Sequence, residues 1–234
     1  MKYLEDLRNI HKGEEIWVIG AGPSLDAYPL DFFKDKVCIG MNWVFSVFIE
    51  IGDRHKKFKS KKFYSVHEHR PQADWIAKHR PDFLKNCFFL LPPRRLQRGH
   101  SKFVWWEDYN DDPYYMRWKL CGPKLAQATA KDFAIVADCI MKKGRCGYVC
   151  RGTTLHWAAQ AAVVLGARKI YLVGASARGG YMRKHGSKYT KIVNYNPKTR
   201  TKPWRTGTKA MAEAFRPHGV EIVRYYYGKG VEAI

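Results

Sequence analysis

The sequence predicts an α/β fold in which a mostly parallel sheet carries helices on both faces. Three observations lead to this prediction. Short apolar runs of four or five residues alternate along the chain with segments of helical periodicity. The first three of these runs end in glycine or polar residues, as strands do where they reach a ligand crevice. The 234 residues, 46% of them hydrophobic, suffice for one core, so a single domain over residues 1–234 is expected.

The first half of the chain supplies four predicted strands, with helices expected over residues 43–51 and 72–79. The strands are Glu15–Ile19, Val37–Met41, Phe63–Val66 and Cys87–Leu91. Periodicity is then lost between residues 94 and 128. Because structureless connections of that length are usually functional, we interpret this stretch as an inserted lid or acceptor-binding segment.

The second half of the chain fits a βαβ-like pattern. Residues 131–142 have helical spacing, and an Ala-rich helix over residues 153–165 is stopped by Gly166. The strand Lys169–Val173 follows and ends at Gly174. A helix over residues 208–215 and a strand over residues 220–225 complete the prediction.

Charge is the most unusual property of the composition. There are 42 Lys and Arg against 21 Asp and Glu, which gives a net charge of +21 and a pI near 9.8. The basic residues alternate with aromatic residues in two polar stretches, residues 94–124 and 178–205. Trp105 and Trp106 in the first stretch could stack on bases, which predicts a nucleic-acid groove. Two alternatives stay open: a basic surface that serves solubility, and a small local core of aromatics under a long loop.

The six cysteines include no CxxC pair, and several lie in apolar stretches. We expect buried, reduced thiols, which favours a reducing, cytoplasmic compartment. Cys146, Cys150 and His156 do not have the spacing of a zinc site. No apolar run approaches the roughly 18 residues that a membrane-spanning helix needs, so neither a membrane span nor a signal peptide is expected.

Two loops have the residues to bind a phosphate-bearing ligand. The first contains Gly20, Gly22, Pro23 and Ser24. It lacks the third glycine of the dinucleotide motif and the Lys-Ser/Thr pair of a P-loop, but two glycines allow close approach to a ligand and Ser24 can cap the following turn. A plain tight turn is the alternative interpretation. In the second loop, Arg151 precedes two hydroxyl residues that can cap the Ala-rich helix, Thr153 and Thr154.

The segments VIGAGPSL (18–25) and CIGMN (38–42), together with Thr153, Thr154 and LGARKIYLVG (165–174), resemble one group of proteins. The group contains bacterial sialyltransferases of the lipooligosaccharide type, motility-associated glycosyltransferases and archaeal hydroxymethylpterin diphosphokinases. The resemblance covers about a third of the chain and implies a Rossmann-like, GT-A-variant domain that binds a nucleotide sugar without a metal cofactor. It implies that the glycine loop, Asn42, Thr153, Thr154 and Gly174 surround the nucleotide.

The same resemblance implies a basic, aromatic-rich lid over about residues 175–205. In that segment His185 takes the place of the histidine base, and Tyr181 takes the place of a tyrosine that neutralises the departing phosphate. Ala21 and Ala175 depart from residues common in the sialyltransferases, and these departures argue against sialic acid as the donor sugar.

Sugar transfer needs a base for the acceptor proton and positive charge near the leaving phosphate. His67 and His69 follow a predicted strand and point to one side, so they are candidate bases beside His185. Arg151, Arg178 and Arg183 are the candidate cations. An acidic cluster with Asp108, Asp111 and Asp112 could bind Mg²⁺, but no strand presents it, and we favour a solvated loop.

These features favour a glycosyltransferase that transfers a sugar from a nucleotide to hydroxymethylated bases in DNA, as in bacteriophage DNA modification. Three alternatives stay open. They are a sialyltransferase-like enzyme that acts on a glycan or protein, a pterin diphosphokinase-like enzyme, and a nucleic-acid-binding module without catalytic activity.

Overall fold

A computed structural model defines the fold of the chain. It describes residues 2–54, 63–66, 79–80, 87–91, 115–117, 128–143, 149, 151, 153–175, 182 and 201–234.

The described strands form one sheet in the order β1-β6-β5-β4-β3-β2-β7-β8-β9. All neighbouring strands in this sheet are parallel except β8 and β9, which form an antiparallel hairpin at one edge. The strands are β1 Lys2–Tyr3, β2 Glu15–Ile19, β3 Val37–Met41, β4 Phe63–Val66, β5 Cys87–Leu91, β6 Tyr115–Arg117, β7 Lys169–Val173, β8 Glu221–Tyr226 and β9 Gly230–Ala233. The mostly parallel α/β sheet is therefore confirmed.

Four α-helices accompany these strands in the described part of the chain: α1 Phe45–Arg54, α2 Ala130–Lys143, α3 Thr154–Val164 and α4 Thr201–Phe215. Short 3-10 helices lie at Leu4–Leu7, Pro23–Ala27, Leu30–Phe33, Asn42–Val44 and Arg216–His218. Among these helices none is long and apolar enough to cross a membrane.

Alternating strand residues pack on opposite faces of the sheet, as the two-residue period of a strand requires. Ile16 and Val18 of β2 belong to a core shared with α2, α3 and α4. Trp17 and Ile19 belong to a second core with α1 and the 3-10 helices of residues 23–33. Because both faces are covered, the central strands consist almost entirely of apolar residues. The prediction of helices on both faces is confirmed.

Two parts of the chain differ from the predicted elements. Helix α4 begins at Thr201 and not at residue 208, so residues 201–205 of the expected lid form its first turn. Pro203 is compatible with this position because amides in the first turn of a helix have no intrahelical partner. Strand β6 lies inside the 94–128 stretch, which is therefore not a structureless insertion throughout. Three residues are too few to produce a periodic signal.

The expectation of reduced cysteines holds for one residue and fails for another. Cys38 on β3 is a free, buried thiol, and burial raises its pKa. Cys139 on α2 is disulfide-bonded, so the prediction is wrong at that position. Disulfides are typical of oxidising environments, and the cysteines therefore give the cytoplasmic assignment no support.

Candidate functional site

The candidate site lies at the carboxyl ends of β2, β3 and β7, where the strand order changes direction. The chain continues from β2 to β3 on one side, and later places β7 on the other side of β2. The loops that leave these neighbouring strands, beginning at Gly20, Asn42 and Gly174, therefore emerge at one edge of the sheet. Such an edge forms a crevice because successive connections turn away in opposite directions.

The glycines of the first loop contact the glycine that follows β7. The Gly20 amide donates to the Val173 carbonyl at 2.7 Å, and the Gly22 amide donates to the Gly174 carbonyl at 2.9 Å. A Cβ atom on Gly20 would lie 2.8 Å from the Gly174 carbonyl oxygen, and one on Gly22 would lie only 2.3 Å from it. Gly174 itself has φ +65, a conformation that favours glycine. The three glycines are thus required by the packing of two backbones against each other.

The turn after Gly22 is the five-residue 3-10 helix Pro23–Ala27. Gly22 is its N-cap residue and no side chain caps it, while Pro23 occupies the first turn. Ser24 lies inside the helix, so the prediction that Ser24 caps the turn is wrong. The reason is local: proline fixes φ in the helical range and starts the helix one residue before the serine.

Asn42 follows the last residue of β3 and has a left-handed backbone conformation with φ 50. It is half-buried and begins the 3-10 helix that leads into α1. Its neighbour Met41 reaches the glycine loop, because the Met41 Cε atom would lie 3.0 Å from a Cβ on Gly20. Strained backbone of this kind in a residue other than glycine concentrates at ligand sites. Asn42 therefore lies beside the glycine loop, as the sequence predicted.

The segment after β7 returns to the glycine loop at Met182. The Met182 amide donates to the Ala21 carbonyl at 2.8 Å, and its side chain, 1% exposed, packs into the core beneath the loop. Tyr181 and Arg183 adjoin Met182 in the sequence, but both lie outside the described residues. Met182 itself is therefore bound to the backbone of the glycine loop.

The start of α3 lies at the same edge of the sheet. The far end of α3 is tied to the segment before β2, where the His11 amide donates to the Leu165 carbonyl at 2.8 Å. Thr153 is the N-cap of α3, and its hydroxyl accepts from the Leu155 amide at 3.2 Å, which confirms the predicted cap. Thr154 is only 6% exposed. Its side chain therefore belongs to the core and not to the surface of the crevice.

Arg151 precedes this cap and is half-buried. No carboxylate within the described ranges forms an ion pair with it. Its backbone amide donates to the His156 Nδ1 atom at 2.9 Å. Arg151 is the one predicted cation that the structure describes, and it is placed beside the N-terminus of α3.

Sequence reasoning missed the roles of His156 and Gln160, which lie one turn apart on α3. Both are completely buried. Burial lowers the pKa of His156 to about 3, and the positive charge of Arg151 acts in the same direction. The available signal was two polar residues with i, i+4 spacing in an otherwise apolar helix.

Several predicted site residues lie outside the described part of the chain. They are the candidate bases His67, His69 and His185, the candidate cations Arg178 and Arg183, Tyr181, the aromatic residues Trp105 and Trp106, and the possible Mg²⁺ ligands Asp108, Asp111 and Asp112. Val66, the last residue of β4, pairs with Met41. The chain therefore leaves β4 for His67 at the edge that holds Asn42.

Metal-ligating side chains do not cluster in the residues that the structure describes, where no group of three His, Cys, Asp or Glu could hold an ion. The described part of the site instead consists of backbone groups of two glycine loops, a strained asparagine, a helix cap and one arginine. The Gly20 and Gly22 amides already donate to protein carbonyls, so the glycines allow a ligand to approach the backbone closely while Arg151 can offer a positive charge.

Comparison with known proteins identifies no relative of the chain. No family model matches it, and neither the curated proteins nor the solved structures include a significant match.

Proposed function

We propose that the chain binds a nucleotide-activated sugar in the crevice beyond β2, β3 and β7 and transfers the sugar to a hydroxyl group. The observation that carries this proposal is the meeting of the Gly20 and Gly174 loops where the strand order reverses. In open α/β sheets this is the position at which ligands bind.

The strand order supports a Rossmann-like interpretation. The five strands β4-β3-β2-β7-β8 are parallel and follow the pattern in which the first strand of the series is central and the fourth is added on its other side. In proteins with this order, the loop after the central strand contacts the phosphates of a nucleotide. Gly20 and Gly22 occupy that loop in this chain.

Each part of the reaction has a candidate group in the sequence. Arg151 supplies positive charge for the phosphate that leaves with the nucleotide. His67, His69 and His185 remain the candidates for the base that removes the acceptor proton. A donor whose phosphates are neutralised by arginine needs no metal ion, so we propose metal-free transfer. We propose the cytoplasm of a bacterial or phage-infected cell as the place of this activity.

We propose DNA with hydroxymethylated bases as the acceptor. The net charge of +21 favours a partner with many phosphates, because each cation that neutralises a phosphate releases counterions. Trp105 and Trp106 belong to a basic, aromatic stretch of the kind that stacks on bases. An enzyme that modifies a base must remove the base from the helical stack, and inserted aromatic residues assist this step.

Three other functions make different demands on the chain. A pterin diphosphokinase-like enzyme requires ATP and Mg²⁺ and gains little from a large positive charge. A sialyltransferase-like enzyme would modify a glycan or protein and leave DNA unchanged. A nucleic-acid-binding module would bind DNA but no nucleotide sugar.

The direct test is a mass-spectrometric assay. Hydroxymethylated and unmodified DNA would be incubated with the protein, a panel of nucleotide sugars and EDTA, then digested to nucleosides. We expect a gain in mass of one hexose or pentose on the hydroxymethylated nucleoside only. Arg151→Gln should reduce the yield, because it removes charge beside the leaving phosphate.

Arg168→Gln is the matched control. It removes the same charge from an exposed residue immediately before β7, at the opposite edge of the sheet from the crevice. No mass gain with any donor, together with salt-sensitive DNA binding, would reject the glycosyltransferase and favour a binding module. Activity that EDTA abolishes would reject metal-free transfer.

A further inference from the structure

The segment that contains Arg151 is held by buried side chains of α3. Gln160 is completely buried and accepts from the Val149 amide at 3.1 Å through its Oε1 atom. Its Nε2 atom donates to the Val149 carbonyl at 2.6 Å and to the His156 carbonyl at 2.8 Å. One amide side chain therefore binds both backbone groups of Val149, as a neighbouring strand would.

His156 binds the same segment two residues further along. Its Nδ1 atom lies 2.9 Å from the Arg151 amide nitrogen. A backbone amide can only donate, so Nδ1 is unprotonated and the proton of the neutral ring is on Nε2. That atom lies 3.2 Å from the Thr208 hydroxyl oxygen, and the hydroxyl donates to the Trp204 carbonyl at 2.7 Å. The ring thus joins the Arg151 backbone to helix α4.

Helix α4 closes this cluster from the other side. Gly207 faces it, and a Cβ there would lie 2.6 Å from the His156 Cε1 atom and 2.8 Å from the Arg151 Cβ atom. Phe133 of α2 contacts the His156 ring edge to face, with ring centroids 5.3 Å apart. The backbone of Arg151 is therefore bound by a hydrogen bond and also confined by packing.

Apolar residues would fill this space at lower cost. A buried polar group must be fully hydrogen-bonded to avoid a penalty of about 1–3 kcal/mol, and α3 is apolar at most other positions. Fully satisfied buried polar groups fix one geometry, whereas apolar packing permits several. The geometry fixed here is that of the backbone at Val149 and at Arg151.

We propose that His156 and Gln160 are positioning residues that hold Arg151 at the crevice so that its guanidinium binds the phosphates of the nucleotide. This inference rests on the proposed function, because it takes Arg151 as the phosphate-binding cation. Neither side chain contacts the ligand: Gln160 acts through the backbone of Val149, and His156 acts through the backbone amide of Arg151.

Two substitutions of His156 separate positioning from packing. The amide oxygen of asparagine reaches the position of Nδ1, so His156→Asn keeps an acceptor for the Arg151 amide. Glutamine places its amide near Nε2, so His156→Gln keeps the bond to Thr208 and loses that acceptor. Both variants remove the ring, and their cost in packing is therefore similar.

The readout is the Kd of the strongest binder among ADP, GDP, CDP and UDP, measured by calorimetry. We expect His156→Gln to weaken binding about tenfold, the equivalent of one lost hydrogen bond, and His156→Asn to weaken it much less. Gln160→Met should resemble His156→Gln. In an Arg151→Gln background, none of these changes should weaken binding further.

The outcomes separate failure of this inference from failure of the proposed function. Equal losses in His156→Asn and His156→Gln that persist without Arg151 would show a purely structural role and overturn the inference. No binding of any nucleotide to the unaltered protein would reject the proposed function, and the inference with it. The nitrogen chemical shifts of His156 test the Nδ1 acceptor independently: a protonated Nδ1 would overturn the inference even where nucleotide binds.

Discussion

Replacement of Gly174 by alanine tests the contact between the two glycine loops. An alanine Cβ would lie 1.9 Å from the Gly20 carbonyl oxygen, in a residue with φ +65. Carbon and carbonyl oxygen approach comfortably to about 3.3 Å, so the two backbones must separate by more than about 1 Å. That movement breaks the bonds between Gly20 and Val173 and between Gly22 and Gly174.

The expected magnitude follows from three separate costs. Left-handed backbone costs alanine about 1–2 kcal/mol. Overpacking adds about 1–3 kcal/mol. Two weakened backbone hydrogen bonds add about 1 kcal/mol each. We therefore expect Gly174→Ala to lower the free energy of unfolding by about 4–7 kcal/mol. This is a large part of the about 5–15 kcal/mol typical of a domain.

Substitutions of two other glycines separate the cost of backbone strain from the cost of the steric clash. Gly228 has φ +74, and a Cβ at this residue would meet no atom within 4 Å, so Gly228→Ala should cost only about 1 kcal/mol. Gly22 has φ −73, a backbone conformation that alanine adopts without strain. In Gly22→Ala the Cβ atom would lie 2.3 Å from the Gly174 carbonyl oxygen, so this clash alone should lower the free energy of unfolding by about 3 kcal/mol.

Urea unfolding followed by tryptophan fluorescence at pH 7 measures these differences. Gly52 lies in α1, where a Cβ would meet no atom within 4 Å. Gly52→Ala should therefore raise the free energy of unfolding by about 0.5–1 kcal/mol, and it is the control that shows the assay detects stabilisation as well as destabilisation. Free energies for Gly174→Ala and Gly228→Ala that agree within about 0.5 kcal/mol would refute the reasoning, because the loops would then not be in close contact.

Three further predictions concern the residues around the site. The pKa of His156 is about 3 in the folded protein against 6.5 when unfolded, so the unfolded state binds more protons between these values and stability falls as pH decreases through them. Urea unfolding at pH 6, 5 and 4 measures how the free energy of unfolding changes with pH, and this dependence should be shallower in His156→Gln by about 1 kcal/mol per pH unit. The same pH dependence in both proteins would contradict the buried, neutral ring. Thr153→Ala should cost about 1 kcal/mol in the same assay, and Thr153→Ser should restore most of it, because serine also caps a helix. Tyr28→Phe removes the 2.7 Å bond from the Tyr28 hydroxyl to the Tyr225 carbonyl and should cost about 1–2 kcal/mol, whereas Tyr227→Phe at a 43% exposed position should change stability by less than about 0.5 kcal/mol.

The strands around the crevice could be predicted to the residue. β2, β3 and β7 have the bounds expected from their apolar runs, which end at glycine or asparagine. The signals are strong because strands buried on both faces are apolar except at their first residue, and glycine or asparagine marks the end of each run. β1 and β6 escaped prediction because two or three residues carry no pattern and pair only with each other and with β5.

The candidate site was predicted in part. The capped start of α3 and the position of Asn42 beside the glycine loop could be expected, since both follow from the local sequence and from parallel strand order. Ser24 was assigned the wrong role because the proline before it determines where the turn begins.

The sequence by itself determined which segments become strands and helices near the site, since hydrophobic period, helix caps and glycine stops act over a few neighbouring residues. Only the tertiary structure determined the close contact that requires glycine at residues 20 and 22, and the hydrogen bonds that His156 forms. Gly20 and Gly22 meet a carbonyl about 150 residues away in the chain, a separation set by the parallel topology. His156 bonds Thr208 across 52 residues. Contacts between such distant residues depend on how the elements pack against one another, and no local pattern in the sequence encodes them.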